Sequence, residues 1–185
     1  MIDLWFLDQS GFAPTLPTGY SWGRLGHRLV VPYEAPQGRR VNVVGALAPY
    51  DPAGPRLRYQ TRRKAAGRYD AAAHLAFVDR VAARPADGPR ARPCVVVLDN
   101  YSVHHAAEVK AAIPDLAAAG VRFCYLPPYS PELNPIEPVW RHVKHEDLPE
   151  RSHPTDLALQ AAVETALARR ARKLTESAHD LPRSA

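Results

Sequence analysis

Leu126-Pro127-Pro128-Tyr129-Ser130-Pro131-Glu132-Leu133-Asn134-Pro135-Ile136-Glu137-Pro138-Val139-Trp140 is the stretch on which the reading of this chain turns. It leaves an apolar run over 121–126 that has the length of a buried strand, and Pro127, Pro128 and Pro131 keep it stiff and non-helical. Asn134-Pro135-Ile136-Glu137 then carries helix-start chemistry: an Asn suited to the N-cap, a Pro suited to the first helical position, and a Glu three residues after the cap. The expected helix runs from this cap through Trp140 and Val143 toward Leu148. A rigid loop feeding a helix start holds one carboxylate, Glu137, in a defined place. Alone, Glu137 serves equally well as the far half of a capping box.

Working outward, 185 residues with 46% apolar content make one domain able to bury its own core. Cys94 and Cys124 lie in apolar runs without Cys-x-x-Cys spacing and read as reduced core residues. No apolar run reaches membrane-spanning length, and the N-terminus lacks signal-peptide character, so a cytoplasmic location is expected. The formal charge of +5 favours a polyanionic partner without establishing one.

Residues 4–7 form a short apolar run expected to be a buried strand that stops at Asp8. Further strands are expected over 29–33, over 41–48 with Gly45 as a bulge, and over 56–61. Six basic and no acidic residues lie between 56 and 68: Arg56, Arg58, Arg62, Arg63, Lys64 and Arg68. Asp70 caps a helix whose Leu75, Val78 and Val81 recur at helical spacing. Cys94 to Leu98 is apolar throughout and ends on Asp99, as a central strand covered on both faces would. Residues 106–119 look helical with a break expected at Pro114. A last helix over about 155–173 presents Leu159, Val163 and Leu167, and the final dozen residues read as frayed.

Three carboxylates stand out: Asp8 and Asp99 after strands, and Glu137 opening a helix. In open sheets with helical crossovers, groups at the carboxyl ends of central strands share a crevice. Two aspartates and a glutamate would offer oxygen ligands only, the set that suits Mg²⁺ or Mn²⁺. Two such ions, about 3.5–4 Å apart, would support in-line phosphodiester cleavage.

Phe6-Leu7-Asp8-Gln9-Ser10-Gly11-Phe12, Val97-Leu98-Asp99-Asn100 with His104-His105, and the 126–140 stretch together resemble the DDE transposases. They are most similar to the bacterial insertion-sequence group related to mariner. The resemblance covers about residues 2–150, and its last motif, long and fixed in spacing, is the most specific. It implies an α/β domain of the ribonuclease H-like fold, a mixed central sheet flanked by helices. It implies Asp8, Asp99 and Glu137 as the catalytic and metal-binding triad, with two Mg²⁺ or Mn²⁺ ions as cofactor. The implied activity is DNA strand cleavage at element ends followed by strand transfer into target DNA. The implied partners are those DNAs, a second copy of the chain in the active complex, and an upstream helix-turn-helix polypeptide, since only seven residues precede Asp8. Gln9 where the group usually has Glu, and Pro138 directly after Glu137, depart from the pattern. Pro138 removes one early helix hydrogen bond and points to a later helix start.

On this reading residues 1–150 form the catalytic domain, and 151–185 a C-terminal helix and tail packed on it. Arg62, Arg63, Lys64, Arg141 and Lys144 are the candidate contacts to DNA phosphate, against a plain role as solvated charges. His104 and His105 read as hydrogen-bonding or surface residues, and His142 with His145 lack a third zinc ligand nearby. Trp5 and Trp140 read as core, and Trp22 as packing rather than base stacking. Two other functions remain open here: a non-catalytic DNA-binding remnant, and a metal-dependent nuclease without strand transfer.

Overall fold

Trp5 and Leu7 on one face, Asp8 and Phe12 on the other: the period-two alternation of the first strand sorts the molecule into two cores. In the computed structural model residues 1–15, 24–28, 40–86, 88–148 and 152–179 are described. The strand expected over 29–33 and the reading of Trp22 lie outside them.

Five strands form one sheet: β1 (Asp3–Phe12), β2 (Val41–Ala48), β3 (Arg56–Arg63), β4 (Cys94–Leu98) and β5 (Val121–Tyr125), in the order β3-β2-β1-β4-β5. The β1–β2 and β2–β3 pairs are antiparallel, whereas β1–β4 and β4–β5 are parallel. On one face α1 (Ala71–Ala82) and α2 (Ala107–Ala118) bury Phe77, Val78, Val81 and Leu116 against Trp5, Leu7, Val44, Ala46 and Val96. On the other, α3 (Glu137–His142) and α4 (Asp156–His179) bury Val139, Trp140, Leu159, Val163 and Leu167 against Phe12, Val41, Val43 and Leu47. Helices on both faces of a mixed sheet are the layer arrangement expected from the continuous apolar strands.

Local signals placed several elements well. Asp70 accepts a hydrogen bond from the Ala73 backbone N–H at 2.9 Å and caps α1. Thr155 Oγ1 accepts from the Ala158 N–H at 3.0 Å and starts α4, whose Leu159, Val163 and Leu167 are fully buried. Trp5 and Trp140 are core residues.

Other expectations are corrected. β1 does not stop at Asp8, because antiparallel pairing with β2 carries it on from Asp8↔Gly45 to Phe12↔Val41. Gly45 makes no bulge: it pairs regularly with Asp8 on one side and Tyr59 on the other. Pro114 does not break α2, since it lies on an exposed turn where water can serve the carbonyl it leaves free. Buried Val109 and Leu116 anchor the helix on either side of it. α3 begins at Glu137, not after an Asn134 cap. Asn134 instead ends a 3₁₀ turn over Pro131–Leu133, and no side chain caps α3. The expected continuation toward Leu148 is a π-helical turn, Val143–Asp147. α4 runs six residues beyond Lys173, through part of the tail read as frayed. Cys94 is buried as expected, but Cys124 is exposed, because its side of edge strand β5 is not covered.

Candidate active site

The register of the parallel pair sets up the site. Asp3 lies opposite Cys94 and Phe6 opposite Val97; extended by two residues, the same register brings Asp8 level with Asp99. Asp8 reaches this point inside β1, past the last residue paired with β4, and its side chain projects onto the sheet face that α3 covers. Asp99 directly follows β4. Glu137, the first residue of α3, comes in over the sheet from the proline-rich loop. All three line one cavity of about 430 Å³, together with Asn100, Tyr101, Asn134 and the 126–131 loop.

Each aspartate is held by a named donor. The Trp140 indole N–H donates to Asp8 Oδ2 at 2.8 Å. Asp99 accepts from the Tyr101 backbone N–H at 3.1 Å, and its carboxylate Oδ1 lies 3.0 Å from His104 Nδ1. The same Nδ1 lies 3.1 Å from the Asp99 carbonyl oxygen, and two acceptors on one nitrogen require that it carry the proton. His104 is buried, and its ring sits 4.6 Å from buried His74, which in turn is 3.2 Å from the Tyr69 hydroxyl. The hydrogen-bonding role expected of the histidine pair thus belongs to His104, while His105 stacks on Tyr125 at 4.8 Å.

The two aspartates differ electrostatically. Burial pushes Asp8 up to about 6, with the nearby charges of Glu137 and Asp99 adding to the rise; hydrogen bonds from the Gln9 backbone and Trp140 hold it back. Asp99 moves the other way, below the ordinary carboxylate range, chiefly through its hydrogen bond from His104. Three acids crowding one cavity, one of them raised by burial and by its acidic neighbours, form a site whose charge a hard cation would relieve. Among the described residues no group of three His, Cys, Asp or Glu side chains is placed to hold a metal ion. An oxygen site for Mg²⁺ or Mn²⁺ does not require such a group, because water and substrate phosphate supply much of the coordination. The donor set therefore fits such an ion.

Gly45 explains how Trp140 reaches Asp8. A Cβ at position 45 would lie 2.4 Å from Cη2 and 2.8 Å from Cζ2 of the Trp140 indole. The glycine, directly opposite Asp8 in the β1–β2 ladder, is the gap into which the indole fits. Sequence reasoning placed Trp140 in the core and missed this second role, for no local signal links residues 132 apart.

The basic candidates divide. Lys144 lies over the Phe12 ring, 5.4 Å from its centroid, within electrostatic reach of Glu137 and Asp8. Arg141 lines a neighbouring hollow with Glu137. Arg62, Arg63 and Lys64 sit at the carboxyl end of edge strand β3 and just beyond it, and none lines the carboxylate cavity. Arg62 donates to the Arg68 carbonyl at 2.6 Å, and Arg63 pairs with Asp156 at 3.5 Å. Arg56 and Arg58, from the same basic run, lie at the opposite end of β3, with guanidinium groups 5.1 and 5.5 Å from the centroid of Trp5. Arg40 was not singled out from the sequence; it lines a second cavity that shares Asp8 and Asp99 with the first.

No curated protein matches the chain in sequence. In structure it is similar to the Mos1 strand transfer complex, at TM-score 0.61 and 16% identity, over 95% of this chain and 52% of that one. It is also similar to the mariner Mos1 paired-end complex with Mg (TM-score 0.59, 18% identity, 97% and 52% covered). The catalytic domain of Mos1 mariner transposase gives TM-score 0.51 at 18% identity, with 94% and 78% covered. This chain spans about half the length of the Mos1 chains in the two complexes. These likenesses show the fold of the chain, a ribonuclease H-like one. In sequence, residues 3–160 match the DDE superfamily endonuclease family, and the chain belongs to it.

Proposed function

We propose that this domain cleaves DNA strands and transfers them, as the catalytic domain of a mariner-related transposase, with Asp8, Asp99 and Glu137 as the metal-holding triad. One observation carries the reading: carboxylates from β1, from the residue after β4 and from the start of α3 line a single cavity in a chain of the DDE endonuclease family. Asp8 and Asp99 would hold Mg²⁺ or Mn²⁺, with Glu137 completing the second of two positions. When bound, two such ions stabilise the entering and leaving oxygens of an in-line displacement at phosphorus.

The chain's own part is positioning. The Trp140 N–H fixes the rotation of the Asp8 carboxylate, and the His104 Nδ1–H does the same for Asp99. Stiffness in the 126–131 loop fixes the approach of Glu137. Preorganised groups of this kind need little rearrangement as charge develops on the reacting phosphate. The nucleophile is water for cleavage and a DNA 3′-hydroxyl for transfer. Lys144 and Arg141, beside Glu137, and Arg62, Arg63 and Lys64, at the sheet edge, would meet phosphates outside the reacting centre. Residues 1–150 would make up the catalytic unit, with α4 packed on it. The active complex would contain two copies, and an upstream helix-turn-helix polypeptide would supply end recognition.

Nicking of supercoiled plasmid in Mn²⁺ tests the reading. Asp99→Asn should abolish nicking while leaving the thermal transition and DNA binding close to wild type. Nicking by Asp99→Asn at the wild-type rate would exclude the triad.

A further inference from the structure

The second cavity, about 310 Å³, adjoins the carboxylates and is bounded beyond them by Gln9, Gly11, Arg40 and Asn42. Its two ends differ in chemistry. At one end are Asp8 and Asp99, which repel a phosphate unless a cation lies between. At the other end every polar side chain can donate a hydrogen bond.

Arg40 is the principal donor there, and the chain makes room for it. A Cβ at position 11 would lie 1.8 Å from Nη2, 2.1 Å from Nε and 2.2 Å from Cζ of the Arg40 guanidinium. The guanidinium thus lies against strand β1 on the Trp5 and Leu7 side of the sheet, opposite the face of Asp8, where any larger residue would displace it, and the cavity joins the two sides past the last β1–β4 pair. Among the described residues no ion pair is found for Arg40, unlike Arg56, Arg63, Arg90 and Arg170. Gln9, two residues before Gly11, also lines the cavity.

We propose that this cavity is a phosphate subsite, in which Arg40 holds a phosphodiester of the strand that crosses the carboxylates. Arg40 is here a substrate-binding residue, and Gly11 the residue that leaves space for it. The proposal rests on the DNA-cleaving reading above and adds to it the direction of the strand: from Glu137 and the proline loop, over the two aspartates, toward Arg40.

The test is a binding titration that needs no catalysis. A fluorescent oligonucleotide duplex is titrated with the 185-residue chain at several KCl concentrations, with Ca²⁺ held constant to screen the two aspartates. Each phosphate contact contributes about 0.9 to the slope of log affinity against log salt. Arg40→Ala should reduce that slope by about 0.9, and Arg58→Ala, at the far end of β3, should leave it unchanged. Gly11→Val, which keeps the charge but displaces the guanidinium, should reproduce most of the Arg40→Ala loss. A duplex set carrying one neutral methylphosphonate at successive positions adds a second readout. One position should weaken the wild type and leave Arg40→Ala indifferent, whereas competition by inorganic phosphate alone should be feeble if the ligand is a DNA phosphate. An unchanged slope in a folded Arg40→Ala protein, or equal sensitivity of both proteins at every position, overturns the subsite. Loss of nicking in Asp99→Asn is read separately, so the subsite can fail while the triad stands.

Discussion

Trp140 donates its indole N–H to Asp8 Oδ2 at 2.8 Å, joining residues 132 positions apart in the chain. The bond ties the helix that starts at Glu137 to the strand that carries Asp8, so two of the three acids are held by one contact. It also opposes the rise in the Asp8 pKa that burial and the neighbouring acids cause. Position and charge of Asp8 therefore depend on the same indole.

Trp140→Phe keeps most of the packing and removes the donor. A hydrogen bond to a charged group contributes about 1.5–3 kcal/mol, so Asp8 should ionise less readily still. The expected result is roughly tenfold slower nicking at pH 7, with the rate regained partly at higher pH and higher Mn²⁺. A pH–rate profile that matches wild type in shape would show that the bond does not influence Asp8.

Gly45→Ala should act through Trp140. The added methyl would meet the indole at 2.4 Å, and overpacking of this kind costs about 1–3 kcal/mol. The clash should be coupled to Trp140: in a Trp140→Leu background, the same Gly45→Ala change should cost far less. Thermal or urea unfolding of the four proteins in the cycle measures the coupling, and additive losses would refute it.

Asp8→Asn should stabilise the metal-free protein at neutral pH. The folded pKa, about 6, is raised above the ordinary value of 3.8, so the folded state prefers the protonated form. The contribution of Asp8 to stability is then fully present below 3.8 and is lost as pH rises through about 6. At pH 7.5 ionised Asp8 weakens the fold by up to about 3 kcal/mol, counting 1.36 kcal/mol for each pKa unit. Relative to wild type, Asp8→Asn should therefore gain stability at pH 7.5, and the gain should shrink toward zero near pH 4. Urea unfolding at both pH values in EDTA checks the sign.

Arg170→Met should detach α4 from the π-helical turn. Asp147 is buried and accepts from Arg170 Nε at 2.7 Å, while Lys173 Nζ lies 3.5 Å away with its side chain half exposed. Removing the nearer, buried partner leaves a buried carboxylate undercompensated, at a cost of about 3–5 kcal/mol. Lys173→Met should cost about 1 kcal/mol or less, as expected of a more exposed pair. Equal losses for the two variants in chemical denaturation would overturn this ranking.

Among the described residues no helix is long and apolar enough to cross a membrane.

Much of the site was legible in the sequence because its elements are announced by local chemistry. Apolar runs of strand length marked β2 and β4, Asp70 marked the start of α1, and the spacing of Leu159, Val163 and Leu167 marked the buried face of α4. Asp8, Asp99 and Glu137 stood out because the first two follow apolar runs and the third opens a helix, and a long motif of fixed spacing surrounds the last of them. These signals act over three or four residues. What they could not reach was decided by which strands lie side by side. β1 runs on past Asp8 only because β2 pairs with its second half, and Pro114 is carried through α2 because packed residues flank it. Trp140 reads as an ordinary core residue until the sheet order places a glycine beneath it and an aspartate beside it. Arg40 has no local mark at all; its place over Gly11 exists only once β1 and β2 are in register. The chain alone thus named the three acids, and the fold decided how each is held, because hydrogen bonding and close packing depend on distances in space that sequence separation does not encode.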